Sequence, residues 1–196
     1  MNSASYAAGT NLSLCNPDVI ELLRYYERWR VLYSRASRPT LNAPDWEKAK
    51  LYFREGYAHP DWSAYALQQQ DSDIAVLRVS TERRSAPLEV IELVFSNVLN
   101  AGKYLLYKTG DSLRIEKRLN PLSWEFLDSG LHPAVEKRLM ADGRARYSLT
   151  SDPTAYFITG AEGISSTNWL LPLSYEELHW RLTAGFPDDV VAGLDR

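Results

Sequence analysis

The sequence predicts a single α+β domain with a mainly antiparallel sheet and flanking helices. Apolar residues recur at helical spacing over residues 16–33 and again after residue 97. Between these segments the pattern changes to short runs rich in β-branched residues, which are typical of strands. The turns between the runs are too short for the crossovers that parallel strands require. The sequence therefore predicts helices before and after an antiparallel sheet.

The first helix is predicted over residues 16–33. Asn16 can accept a hydrogen bond from a free N–H at the helix start, Pro17 suits the first helical position, and Asp18 complements the positive helix end. The stretch 34–44 is rich in turn residues and ends the helix.

A second helix is predicted over residues 45–55. Trp46, Ala49, Tyr52 and Phe53 fall on one side of it at helical spacing. Gly56 is a plausible stop signal.

Three strands follow, over residues 62–69, 74–81 and 88–95, and short turns join them into an antiparallel meander. A helix capped by Ser96 or Asn97 is expected to continue to about Arg118. Gly102 and Gly110 inside this helix weaken it by about 1 kcal/mol each.

The last third of the chain mixes both types of element. A short helix is predicted over residues 134–140, and a hairpin is predicted from segments 144–150 and 155–159. Ser174 and Glu177 match a capping box, which predicts a final helix that ends at Ala184.

Length, charge and cysteine content exclude several classes of protein. The chain has 196 residues, a net charge of −3 and one cysteine, Cys15. The acidic balance disfavours nucleic-acid binding, and a single cysteine cannot form an intrachain disulfide. No window approaches 18 apolar residues, so no membrane span is expected. We expect a cytoplasmic protein with a flexible start over residues 1–15 and one folded domain over 16–196.

No motif for catalysis or for a cofactor is visible in the sequence. Glycine-rich phosphate loops are absent, and His59, His132 and His179 are too far apart for a local metal motif. We therefore expect no cofactor, no metal and no local catalytic site. Two alternatives stay open: an enzyme, such as a hydrolase or nucleotide transferase, whose site is assembled from distant residues, and a domain that binds a small ligand.

The surplus of aromatic residues points to a binding surface. Six Trp and twelve Tyr exceed the needs of a core of this size, and these residue types concentrate binding energy at protein interfaces. The candidates for contact with a partner protein are Tyr25, Trp29, Trp46 and Trp62. We also expect Asp71 and Asp73, on a turn of the meander, to face basic groups of that partner.

Several segments between residues 88 and 182 resemble one known class of protein. They are Phe95-Ser96, Tyr104-Leu105-Leu106-Tyr107, Asp111-Ser112-Leu113-Arg114, Leu119-Asn120-Pro121-Leu122 and Leu173-Ser174-Tyr175-Glu176-Glu177-Leu178. They resemble immunity proteins of bacterial polymorphic toxin systems, including relatives of the factor that neutralises a mycobacterial NAD-hydrolysing toxin. The resemblance implies a cytoplasmic, cofactor-free α+β protein that binds one cognate toxin and covers its active site.

Overall fold

In the residues that the structure describes, eight antiparallel strands form one continuous sheet and five α-helices flank it. The computed structural model describes residues 12–36, 40–82 and 86–193. The α-helices are α1 (Pro17–Ala36), α2 (Val98–Glu116), α3 (Leu122–Asp128), α4 (Tyr175–Thr183) and α5 (Asp188–Val191), with a 3₁₀ helix at Ser166–Leu170. The strands are β1 (Asp45–Glu47), β2 (Lys50–Glu55), β3 (Ser63–Gln70), β4 (Asp73–Ser80), β5 (Leu88–Phe95), β6 (Val135–Leu139), β7 (Arg144–Leu149) and β8 (Tyr156–Gly160).

The strand order is β1-β2-β3-β4-β5-β8-β7-β6. This arrangement confirms the predicted α+β class, the meander of β3, β4 and β5, and the hairpin of β7 and β8. The predicted flexible segment 1–15 lies largely outside the described residues.

The main core lies between the sheet and the layer of helices. α1 and α4 pack on α2, which in turn lies against β4 and β5. Trp29 and Tyr26 of α1 are buried there, and the Tyr26 ring meets the Phe53 ring edge-on with centroids 4.8 Å apart. A smaller cluster of Tyr52, Leu77, Val79 and three alanines covers part of the opposite sheet face.

The predicted helix caps are confirmed. The Asn97 side chain accepts a hydrogen bond from the N–H of Asn100 at the start of α2. Both hydrogen bonds of the capping box between Ser174 and Glu177 are present at the start of α4. These caps satisfy N–H groups that no helical carbonyl can reach.

The predicted helix over residues 45–55 is wrong, because this segment is the hairpin of β1 and β2. Lys48 and Ala49 form its two-residue turn, with φ angles of 50° and 62°. Arg54 reaches across the hairpin and bonds the carboxylates of Asp45 and Glu47. The pairing of β2 with β3 and these ion pairs stabilise the hairpin. The weak helical spacing of the apolar residues is not enough to form a helix instead.

The predicted short helix over residues 134–140 is also wrong. These residues form β6, which pairs along its length with β7. Val135 is the only described residue of β6 that is fully buried, so the segment has too few apolar positions for its periodicity to show which element forms.

Candidate functional site

A groove lies between β5 and α2 and is named here the β5–α2 groove. Its volume is about 690 Å³, within the range of roughly 300–1,000 Å³ that ligand-binding clefts occupy. One wall is formed by β5, the floor by α2, and the other wall by Thr159 and residues 165–167. Tyr104, Tyr107, Asp111 and Ser112, all within segments of the family resemblance, line it.

A β-bulge in β5 creates this groove. Val76 of β4 pairs with Leu93, and the next residue, Leu77, pairs with Ile91, so Glu92 has no partner on β4. A bulge bends its strand and increases the local twist. β5 pairs with β8 only at Val94 and Phe95 among the described residues, and the two strands separate on the other side of the bulge.

The separation leaves one edge of β5 free in the middle of the sheet. In the described part of the chain, residues 88–91 and Leu93 pair with β4 on one side, and residues 88–93 pair with no strand on the other. Val90 and Ile91 on this edge are about half exposed, at 51% and 49%. Ile115, on the α2 side of the groove, is 59% exposed. The apolar rim of the groove, formed by Val90, Ile91 and Ile115, therefore lies on β5 and on the last turn of α2.

The floor of the groove is polar and is ordered by internal hydrogen bonds. Tyr104 Oη donates to Glu92 Oε2 over 2.7 Å, and Arg78 lies 3.9 Å from the other carboxylate oxygen. Burial first, and the neighbouring Glu92 carboxylate second, raise the pKa of Tyr104 far above its ordinary value. Tyr104 therefore stays a neutral donor, and the bulge residue Glu92 is held toward α2.

Asp111 in the groove has a structural role. Its two carboxylate oxygens accept hydrogen bonds from the N–H groups of Leu122, at 2.7 Å, and Ser123, at 2.9 Å. The carboxylate thereby caps the first turn of α3, where negative charge is favoured. Tyr107 Oη, next to it, bonds Ser166 Oγ over 3.0 Å. The polar groups on the floor thus hold α2, α3 and the 3₁₀ helix together.

The carboxylates that line the groove have partners within the protein. The three histidines all lie outside the groove lining, and its two carboxylates, Glu92 and Asp111, are bonded to the protein itself. Across residues 12–36, 40–82 and 86–193, no three His, Cys, Asp or Glu side chains are grouped as a metal site requires.

None of the helices in the described part of the chain has the length and apolar character of a membrane span.

Two of the predicted contact residues are buried, which corrects the prediction that they lie on the surface. Trp29 has no exposed area, and Tyr25 is only 4% exposed. Tyr25 stacks on Tyr175 with ring centroids 5.1 Å apart, and Trp29 meets the ring of His179 edge-on. Apolar residues occupy more than one side of α1, because α1 packs against both α2 and α4 as well as the sheet.

Trp46 and Trp62 lie outside the lining of the groove. Trp46 is on β1, which is four strands away from β5. Trp62 is partly buried, and its ring meets Tyr57 edge-on while the Arg54 guanidinium lies 5.2 Å from it. These two indoles are therefore separate from the rim of Val90, Ile91 and Ile115.

The predicted acidic pair is also distant from the rim. Asp71 is exposed on the turn between β3 and β4, with φ at 52°. Asp73 accepts a hydrogen bond from Tyr156 Oη over 2.7 Å. Since Val90 pairs with Arg78, five residues after Asp73, about 16 Å of strand separates Asp73 from the rim at ~3.3 Å per residue.

The sequence analysis did not predict two exposed tryptophans or the free edge of β5. Trp180 on α4 is 71% exposed, and Trp124 on α3 also faces solvent. The free edge of β5 had one visible signal, the adjacent pair Val90-Ile91 between Glu89 and Glu92. A half-buried strand would alternate instead. The bulge itself had no signal in the sequence.

Comparison with known proteins gives a match in structure. No family model matches the chain, and no curated protein matches it in sequence. A solved structure described as Rv3902c from M. tuberculosis superimposes with a TM-score of 0.55 and 16% sequence identity, covering 92% of each chain. At this identity the likeness shows that the two chains share a fold along nearly their whole length.

Proposed function

We propose that this chain is an immunity protein that binds a cognate bacterial toxin and covers its active site, using the β5–α2 groove as its main contact. The observation that carries the proposal is the free edge of β5 with Val90 and Ile91 about half exposed. Strand edges and apolar residues exposed in this way attract other chains, and monomeric proteins usually protect them. A groove with such a wall is suited to a protein partner.

The shared fold and the segment resemblance support the same proposal at a coarser level. Rv3902c is a mycobacterial protein with this fold, and the segments that resemble immunity proteins line the groove at Tyr104, Tyr107 and Asp111. The resemblance also implies a cytoplasmic location, which is part of the proposal.

A binding role is favoured over an enzyme because of how the ionisable groups in the groove are used. Catalytic acids and bases need a free position toward the substrate. Asp111 instead bonds two backbone N–H groups, and Glu92 bonds Tyr104 and lies near Arg78. The contact area has to extend beyond the groove, since stable protein complexes bury about 1,600 Å² in total.

The test is growth rescue in bacteria that express the toxin encoded beside the gene for this chain. We expect wild-type protein to restore growth and to be recovered with the toxin in a pull-down. The double variant Val90→Asp, Ile91→Asp should lose both properties, because two charges would be buried at the interface without partners.

The matched control is Leu139→Asp, which places a charge at an aliphatic residue on β6 that is 73% exposed. This variant should rescue growth like the wild type. Ile115→Asp, on the α2 part of the rim, is a second variant of the site and should also lose toxin binding. The soluble yield and the melting temperature of each variant show whether it is folded. A wild-type chain that leaves the toxin lethal would contradict the proposed function.

A further inference from the structure

We infer that the free edge of β5 binds an extended segment of the partner as an added antiparallel or parallel strand. This inference rests on the proposed function, since the partner is the toxin, and it goes further by stating which chemical groups the partner supplies. Main-chain N–H and C=O groups of the toxin would continue the sheet at residues 88–93. Apolar side chains of the same segment would cover the rim.

The backbone of β5 pairs with few described residues on its groove side. The sheet continues from β5 to β8 only through Val94 and Phe95. Beyond the bulge at Glu92, the described residues supply β5 with no ladder partner on the groove side. A strand edge of this length presents a row of hydrogen-bonding groups that match another strand.

The two carboxylates of β5 that could protect its edge are bonded to other groups of the protein. Glu89 bonds Lys50 and Tyr52, and Glu92 bonds Tyr104. Hydrogen bonding to Lys50 is the main cause that lowers the pKa of Glu89. The exposed part of the edge is therefore left mainly to Val90 and Ile91.

The position of the edge in the sheet argues against a second copy of this chain as the occupant. The free edge of β5 lies on the side of the strand where β8, β7 and β6 continue the sheet. Two copies paired edge to edge at residues 88–93 would each place this part of the sheet in the path of the other, whereas a single extended segment carries no such neighbour. Like charges directly opposite each other destabilise a strand pair, so the residues of the toxin segment opposite Glu89 and Glu92 should be neutral or basic.

The register also specifies the apolar residues of the segment. Val90 pairs with Arg78 and Ile91 with Leu77, so the two side chains point to opposite faces of the sheet. The partner strand therefore has to present adjacent apolar residues, one for each face, with a neutral or basic residue on either side.

The experiment is residue-resolved amide hydrogen exchange on ¹⁵N-labelled protein, free and in complex with the toxin encoded beside its gene. In the free chain, we expect the groove-facing amides of residues 88–93 to exchange at least about 100-fold faster than amides of β4, which is paired on both sides. In the complex, the same amides should slow by at least about tenfold. The outer edge of β6 is the internal control and should be unchanged.

The outcomes separate this inference from the proposed function. If the groove-facing amides of β5 are already as slow as those of β4 in the free chain, the edge is covered and the inference is overturned. If the complex forms but these amides do not slow, strand addition is wrong while toxin binding stands. If no complex forms with the toxin, the proposed function fails and the inference fails with it.

Discussion

The two faces of α2 differ in what they carry and in what covers them. One face presents Gly102 and Gly110 to α1 and α4 and is buried. The other presents Tyr104, Lys108 and Ile115 to the β5–α2 groove and is partly open. Stability should therefore depend on the first face and partner binding on the second, so that variants of the two faces give separable effects.

The largest expected effect on stability is at Trp29 of α1, which lies against the buried face of α2. Trp29→Ala should lower the free energy of unfolding by about 3–5 kcal/mol, because a fully buried indole leaves a cavity. Chemical denaturation measures this loss. An unchanged melting temperature, as expected for a surface contact residue, would contradict the packing described here.

A smaller loss of stability is expected when a side chain is added on the face of α2 that carries Gly102 and Gly110. A Cβ at Gly102 would overlap Tyr175 Oη and lie 3.0 Å from Leu22 Cδ1. Gly102→Ala should therefore destabilise by about 1–3 kcal/mol despite the better helix propensity of alanine. Gly160→Ala is the control, since a Cβ there meets nothing within 4 Å. Equal unfolding free energies for the two variants would show that α1 and α4 do not pack this closely on α2.

A pH dependence should arise from Lys103, which is buried beside the same face. Its ammonium donates to the carbonyls of Leu171 and Leu173, and burial lowers its pKa to about 8 from 10.5. Below pH 8 the ammonium is charged in both folded and unfolded chains, so the full cost of burying it is present. Between pH 8 and 10.5 only the unfolded chain keeps the proton, so stability rises with pH.

The measurement compares unfolding free energies of wild type and Lys103→Met at pH 7 and pH 9.5. Other titrating groups are common to both proteins and cancel in the difference. The wild type should gain about 1–2 kcal/mol relative to the variant over this interval. Parallel pH profiles would show that Lys103 is not desolvated as described.

Much of the fold follows from local sequence signals, and the errors have physical causes. The caps at Asn97 and Ser174 and the β-branched runs of the meander are local features, and they predicted α2, α4 and three strands. The segment 45–55 failed because its strands depend on pairing with β3 and on Arg54. Such non-local contacts override weak periodicity.

The candidate site was less predictable than the fold. Exposure of an aromatic residue depends on which helices meet, and the spacing in α1 could not show that α4 covers Tyr25 and Trp29. The groove depends on a single extra residue, Glu92, whose position opposite β4 is set by tertiary pairing. The segments of the family resemblance did include Tyr104 and Tyr107 on its floor.

Dissociation constants for the toxin decide whether the open face of α2 and the edge of β5 form the partner-binding site. Val90→Ser combined with Ile115→Ser should raise the dissociation constant by about 100-fold, since apolar rim contacts of this kind contribute about 2 kcal/mol or more when central. Leu139→Ser and Trp180→Ala should change it less than about threefold. A large loss for Trp180→Ala with none for the rim variant would contradict the account.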